Sequence, residues 1–214
     1  MLGRNARAFA GRVFTPPAKL LLRLGVDPDA VTIAGTAGVL ASALVLYPLG
    51  QLFWGSIAVG FFVLSDTVDG IMARTLGRTG RWGAYLDSTL DRFGDAAVFG
   101  GLVVWFARGG DSPVTAGLAL LCLVLGSLVS YAKARAEGLG FTANVGIAER
   151  SDRLLAVLAA TTLVGLGVPL PFLTVVLALL AVASLVTVVQ RMAAVRRQAL
   201  AAADASPPAS APRA

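Results

Sequence analysis

The chain contains no histidine, and cysteine occurs once, at Cys122. Without histidine there is no Ser-His-Asp or Cys-His catalysis and no histidine-ligated zinc, so acid–base work falls to carboxylates or metal-activated groups. A single cysteine rules out an intrachain disulfide, and its apolar surroundings read Cys122 as a small buried hydrophobe. Charge is scarce: 14% of residues are Asp, Glu, Lys or Arg, against 57% hydrophobic, and mean hydropathy is +0.78. These values exclude an ordinary soluble domain. Nucleic acid is not an expected partner. The N-terminus lacks a compact apolar run ahead of a small-residue cleavage site, so no secretory signal is expected. No repeat of fixed period occurs, which weighs against an inverted-repeat transporter.

What is present is a series of apolar stretches near 30–49, 52–73, 84–107, 114–136, 152–170 and 171–192, each of roughly membrane-spanning length. They predict an all-α integral membrane protein with six transmembrane helices, occupying residues 29–197. Residues 1–28 precede it as an interfacial amphipathic segment, with Arg4, Arg7, Arg12, Lys19 and Arg23 set among apolar residues to meet anionic membrane lipids. Pro16-Pro17 is expected to interrupt any straight helix there. The Ala/Pro/Ser-rich stretch 198–214 reads as a disordered tail. An even number of spans puts both termini on one side. All 18 Lys and Arg residues except Arg108 then share that side, which the positive-inside rule makes cytoplasmic.

Against this apolar background stand four carboxylates, Asp66, Asp69, Asp87 and Asp91, at the cytoplasmic ends of the second and third predicted spans. Carboxylates in hydrocarbon are costly and mark function. At about 100° per helical residue, Asp66 and Asp69 lie roughly 60° apart and Asp87 and Asp91 roughly 40° apart, so each pair shares a face. The short basic stretch between the pairs makes an antiparallel hairpin that brings the faces together. Oxygen ligands beside a floor of small residues (Gly70, Ala73, Gly83) suit a hard divalent cation such as Mg2+. From the residues alone, small-xxx-small helix packing is an equal account of those residues, and the preferred one for Gly83. An ion-coupled transporter would also hold intramembrane carboxylates.

The spacing Asp66-x2-Asp69-Gly70-x2-Ala73-Arg74-x8-Gly83-x3-Asp87-x3-Asp91 matches, at all eight defined positions, the signature of the CDP-alcohol phosphotransferases, and the chain resembles that family of membrane enzymes. The resemblance implies transfer from a CDP-linked lipid or alcohol to an acceptor hydroxyl, with release of CMP. It implies metal and diphosphate binding at Asp66, Asp69 and Asp87, with Asp91 as both ligand and general base. Two Mg2+ ions per site are implied, with Mn2+ as an alternative. Gly70 and Ala73 would let the nucleotide approach the backbone, with Gly83 in the same binding set. Arg74 would contact the substrate, and Arg78 would hold the diphosphate or face lipid headgroups. Asp29 and Thr32, in Pro28-Asp29-Ala30-Val31-Thr32, resemble a cytidine-contacting segment; Asp29 reads equally as a helix cap. Asp95, on the same stripe as Asp91, is expected to pair helices.

A second constellation concerns the acceptor. Lys133 and Arg135 end the fourth predicted span, Arg153 begins the fifth, and Arg191 lies near the end of the sixth. Together they form either a pocket for a phosphate monoester or ordinary flanking charge. The strings Lys133-Ala-Arg135-Ala-Glu137 and Gly146-Ile-Ala-Glu149-Arg150-Ser-Asp152-Arg153 resemble the actinobacterial branch of the family that makes phosphatidylinositol phosphate. That likeness implies CDP-diacylglycerol as donor, myo-inositol 1-phosphate as acceptor held by Lys133, Arg135, Arg153 and Arg191, and a homodimer in an actinobacterial plasma membrane. Glycerol 3-phosphate, giving phosphatidylglycerophosphate, is the alternative acceptor. Ser151-Asp152 and Asn144-Val145 depart from the branch's usual residues.

Overall fold

A computed structural model describes residues 2–77 and 80–204; the side chains of residues 2–12, Asp66 and Asp204 lie outside that description. Its elements are eight α-helices: α1 (Leu2–Arg23), α2 (Pro28–Leu46), α3 (Leu52–Val63), α4 (Ser65–Thr75), α5 (Arg81–Arg108), α6 (Pro113–Gly138), α7 (Arg150–Gly165) and α8 (Pro171–Asp204). No strand occurs among the described residues. Helix starts follow local chemistry. Asp27 caps α2 by accepting the Asp29 N–H at 2.9 Å, with Pro28 in the first turn. Ser112 and Pro113 open α6 in the same way. The start of α7 is a capping box in which Glu149 N donates to Asp152 Oδ2 at 3.2 Å. Asp152, a departure from the related branch, thus has a structural job, and the cap of α2 is Asp27 rather than Asp29.

Six helices close a ring in the order α2, α5, α6, α8, α7, α3 and back to α2, while α4 packs on α2 and α1 on α4. Val98, Phe99, Leu102 and Phe106 of α5 fill the centre beside Val157 of α7 and Leu173 and Leu177 of α8. A Cβ at Gly101 would sit 2.5 Å from the Ala43 carbonyl oxygen, so glycine sets the close approach of α5 to α2. The α3–α7 seam is sealed by a buried hydroxyl chain, Tyr47 to Ser56 at 3.1 Å and Ser56 to Thr161 at 2.5 Å. Cys122 is buried and donates to the Leu177 carbonyl at 3.2 Å, as a small core residue.

Several expectations need correction. Four stretches, Pro28–Leu46, Leu52–Thr75, Pro113–Gly138 and Pro171–Ala203, are long and apolar enough to cross a bilayer. By the same measure α5, with Asp87, Asp91, Arg92 and Asp95 in its first half, and α7, with 16 residues, do not add to these four. The second span is not one helix. It breaks at Leu64, where the Ser65 hydroxyl donates back to the Phe62 carbonyl and competes with the helical ladder. Pro16 and Pro17 lie inside a continuous α1. Packing on α4, with Ala18 fully buried, holds that helix together despite the lost backbone bonds. Finally, α8 runs to Asp204 rather than ending at 197, because Gln198, Leu200 and four alanines favour helix. Residues 205–214 lie outside the described residues.

Candidate active site

The break at Leu64 aims α4 at the start of α2. There Thr32 Oγ1 donates to Asp69 Oδ2 at 2.5 Å, with both residues buried. Asp29, one turn earlier, accepts the Trp82 indole N–H at 2.9 Å, which ties the first turn of α5 to α2. Ala73 is half-buried and Arg74 exposed on α4. A Cβ at Gly70 would meet nothing closer than Arg74 Nη1 at 3.5 Å, and one at Gly83 would meet nothing within 4 Å. Neither glycine is required by a neighbouring helix, so the packing role expected of Gly83 is overturned: it lies in the first turn of α5, ahead of that helix's close contacts. Arg78 and the Asp66 side chain lie outside the described residues.

Asp87 is exposed, whereas Asp91 and Asp95 lie progressively deeper along α5. Arg150 spans the two deeper acids, with Nη1 2.7 Å from Asp91 Oδ1 and Nε 3.1 Å from Asp95 Oδ1. Asp95 also faces Arg92 Nη2 and Arg153 Nη2, each at 3.6 Å. It therefore pairs α5 with α7, as its position on the Asp91 stripe leads one to expect. Among the described residues no three acidic side chains stand close enough to enclose an ion. The donor chemistry nonetheless fits a hard divalent cation, since every carboxylate of the signature offers oxygen alone and Asp87 is open to solvent.

Beside Asp91 opens a cavity of about 720 Å³ lined by Arg92, Lys133, Glu149, Arg150 and Arg191 among others. Lys133 stands 4.0 Å from Glu137, one turn on. Arg191 is buried, with Nε on the Val145 carbonyl at 3.0 Å and Nη1 on the Val129 carbonyl at 2.6 Å. Two other predicted acceptor residues are placed differently. Arg135 is exposed and outside the lining. Arg153, 1% exposed, lies beneath the cavity. Its guanidinium rests on Gly126, where a Cβ would come within 3.1 Å of Nε. Arg153 Nη1 donates to the Ala148 carbonyl at 3.0 Å, while Nε and Nη2 find no hydrogen-bond acceptor.

Sequence reasoning passed over Arg92 and Arg150, the two cations nearest Asp91. Arg92 precedes Asp95 by three residues, the spacing of a helical ion pair, and its Nη1 also bonds the Ser130 hydroxyl on α6. Arg150 stood inside the string Glu149-Arg150-Ser151-Asp152-Arg153, but nothing in the spacing says which of its two arginines faces the cavity.

This architecture is shared with known proteins. The crystal structure of Mycobacterium tuberculosis phosphatidylinositol phosphate synthase with CDP-DAG bound superposes with a TM-score of 0.83 at 44% identity, covering 95% of this chain and 99% of that one. The same enzyme in complex with manganese and citrate gives 0.81, covering 94% and 93%. In sequence, the chain is 53% identical over 212 residues to the phosphatidylinositol phosphate synthase of Streptomyces avermitilis, covering 96% of this chain and 86% of the relative. Identity to the synthase of Mycolicibacterium smegmatis is 50% over 192 residues, covering 89% and 86%. The CDP-alcohol phosphatidyltransferase model matches residues 26–146, from the cap of α2 through the α4–α5 signature to the segment after α6. With more than half of the chain matched, including every carboxylate of the signature, this protein belongs to the CDP-alcohol phosphatidyltransferase family.

Proposed function

We infer that the protein transfers the phosphatidyl group of CDP-diacylglycerol to myo-inositol 1-phosphate and releases CMP. The observation that carries this reading is the cavity itself, in which Asp91 shares one space with Arg92, Lys133, Arg150 and Arg191. A base beside clustered guanidinium and ammonium groups suits an acceptor bearing both a hydroxyl and a phosphate monoester. The relatives, which are phosphatidylinositol phosphate synthases, point the same way.

In this reading Asp66, Asp69 and Asp87 hold the cations, two Mg2+ or Mn2+ ions, with Asp91 as a further ligand. Bound there, the metal supplies charge neutralisation for the diphosphate and the departing CMP. Thr32 fixes the Asp69 carboxylate, and Asp29 stands at the nucleotide end. Lys133 and Arg191 hold the acceptor phosphate so that its hydroxyl faces the phosphorus bonded to diacylglycerol. Asp91 takes the hydroxyl proton as the new phosphorus–oxygen bond forms and the bond to CMP breaks. Arg153 acts from below by fixing Asp95, and Arg135 meets acceptor or headgroup phosphate only at the rim. The six expected spans, with α3 and α4 together forming the second, cross the plasma membrane, with the site and both termini cytoplasmic, and the protein works as a homodimer. The 28 residues of α5 span about 42 Å at 1.5 Å per residue, and its charges cluster at the site end.

The test is an acceptor competition. Purified protein with CDP-diacylglycerol and Mg2+ is given labelled inositol 1-phosphate and glycerol 3-phosphate together, and the labelled lipid is resolved. Inositol phosphate is expected to be incorporated in large excess, with stoichiometric CMP. Preferential glycerol phosphate incorporation overturns the acceptor, and absence of CMP release overturns the transferase reading in favour of transport.

A further inference from the structure

The segment between α6 and α7, residues 139–149, contains no helix yet is gripped along its length by α8. Thr187 Oγ1 accepts the backbone N–H groups of Ile147 and Ala148, each at 3.1 Å. Arg191 Nε donates to the Val145 carbonyl at 3.0 Å. Further along α8, Gln198 Oε1 accepts the Thr142 N–H at 2.9 Å while Gln198 Nε2 donates to the Thr142 carbonyl at 2.6 Å. At about 100° per residue, Thr187, Arg191 and Gln198 fall within roughly 40° of one another, on a single stripe. As α8 advances from Thr187 to Gln198, the segment is met in reverse, from Ala148 back to Thr142. The two lengths match: 11 helical steps of about 1.5 Å cover the same ground as five or six extended residues of about 3.3 Å. Gly146 makes the contact close, since its φ is +146° and a Cβ there would collide with the Thr187 methyl group.

We propose that Thr187 and Gln198 are positioning residues for the acceptor site, acting through this strap on Arg191 and Arg153. The proposal rests on the acceptor reading given above. The strap supplies the carbonyls that orient both arginines, Val145 for Arg191 and Ala148 for Arg153. A guanidinium has five N–H donors in a rigid fork, so fixing one edge on a carbonyl sets where the remaining donors point. Arg191 is further fixed to the Val129 carbonyl on α6, and the cavity wall is thus a three-element junction of α6, strap and α8. Gln198 does not line the cavity, and by sequence it fell in the stretch read as a tail. Its contribution is the anchoring of the strap's far end.

Gln198→Ala and Thr187→Val, with Thr187→Ser as the conservative variant, decide the matter in the intact detergent-purified protein. Hydrogen exchange of residues 142–148 should accelerate in Gln198→Ala and Thr187→Val but not in Thr187→Ser. The acceptor KM should rise about three- to tenfold, the scale of one lost uncharged hydrogen bond, while the CDP-diacylglycerol KM stays within about twofold. Unchanged exchange in Gln198→Ala overturns the proposal, even if Thr187→Val misfolds. So does an equal rise in both Michaelis constants, which would mark a general loss of structure. Each variant is assayed with inositol phosphate and with glycerol phosphate. If glycerol phosphate is the true acceptor, the acceptor identity falls while the strap still reads out on that substrate's KM.

Discussion

Asp95 illustrates how one residue outside a signature can hold a site together. It is buried and faces three guanidinium groups, those of Arg92, Arg150 and Arg153. Buried ion pairs add little net stability, but removing one partner strands the others, at about 3–5 kcal/mol. Asp95→Asn should therefore lower the apparent Tm far more than Asp87→Asn, whose side chain is exposed. Asp87→Asn should instead abolish metal-dependent turnover while leaving Tm near that of the parent. Thermal unfolding and CMP release measured on the same preparations separate the two effects. Equal Tm losses would show that Asp95 is no more structural than Asp87.

At the scale of elements, the sequence made the carboxylate pairs legible because helical periodicity alone puts Asp87, Asp91 and Asp95 on one stripe. That a helix is capped near Pro28 was legible through Asp29, though the cap belongs to Asp27. The break at Leu64 was not legible, because no proline or glycine marks it. It arises from a serine hydroxyl and from contact with another helix, neither of which has a local signature. Arg153 and Arg191 were singled out by their positions at helix ends, but that they bond backbone carbonyls depends on a strap fixed by residues far along α8. The break itself is testable through the helix it touches. A Cβ at Gly35 on α2 would collide with the Ser65 hydroxyl. Gly35→Ala should cost turnover by separating α2 from α4 and pulling Thr32 from Asp69, and Ser65→Gly in the same chain should restore much of the loss. A double-mutant cycle on kcat/KM measures the coupling, expected at about 1–3 kcal/mol. Additive losses would place the constraint elsewhere.

For the whole molecule, the cytoplasmic orientation proposed above can be checked directly. In a Cys122→Ala background, Arg108→Cys at the end of α5 should react with an impermeant thiol reagent applied outside intact cells, and Leu76→Cys, just after α4, should not. Both positions are exposed, so reversed labelling would invert the topology rather than reflect burial. The ring has a further consequence for biosynthesis. Asp95 leaves the ribosome 55 residues ahead of Arg150, a delay of about 3–11 s at 5–20 residues per second. In the six-span arrangement proposed above, α5 enters the bilayer through that interval with Asp91 and Asp95 answered by Arg92 alone. An aspartate at the centre of a membrane helix costs the insertion machinery roughly 2.5–3.5 kcal/mol. A chain cut short before α7 would present its most charged helix to lipid without Arg150 and Arg153, so α5 should insert less completely in the truncated product than in the full chain.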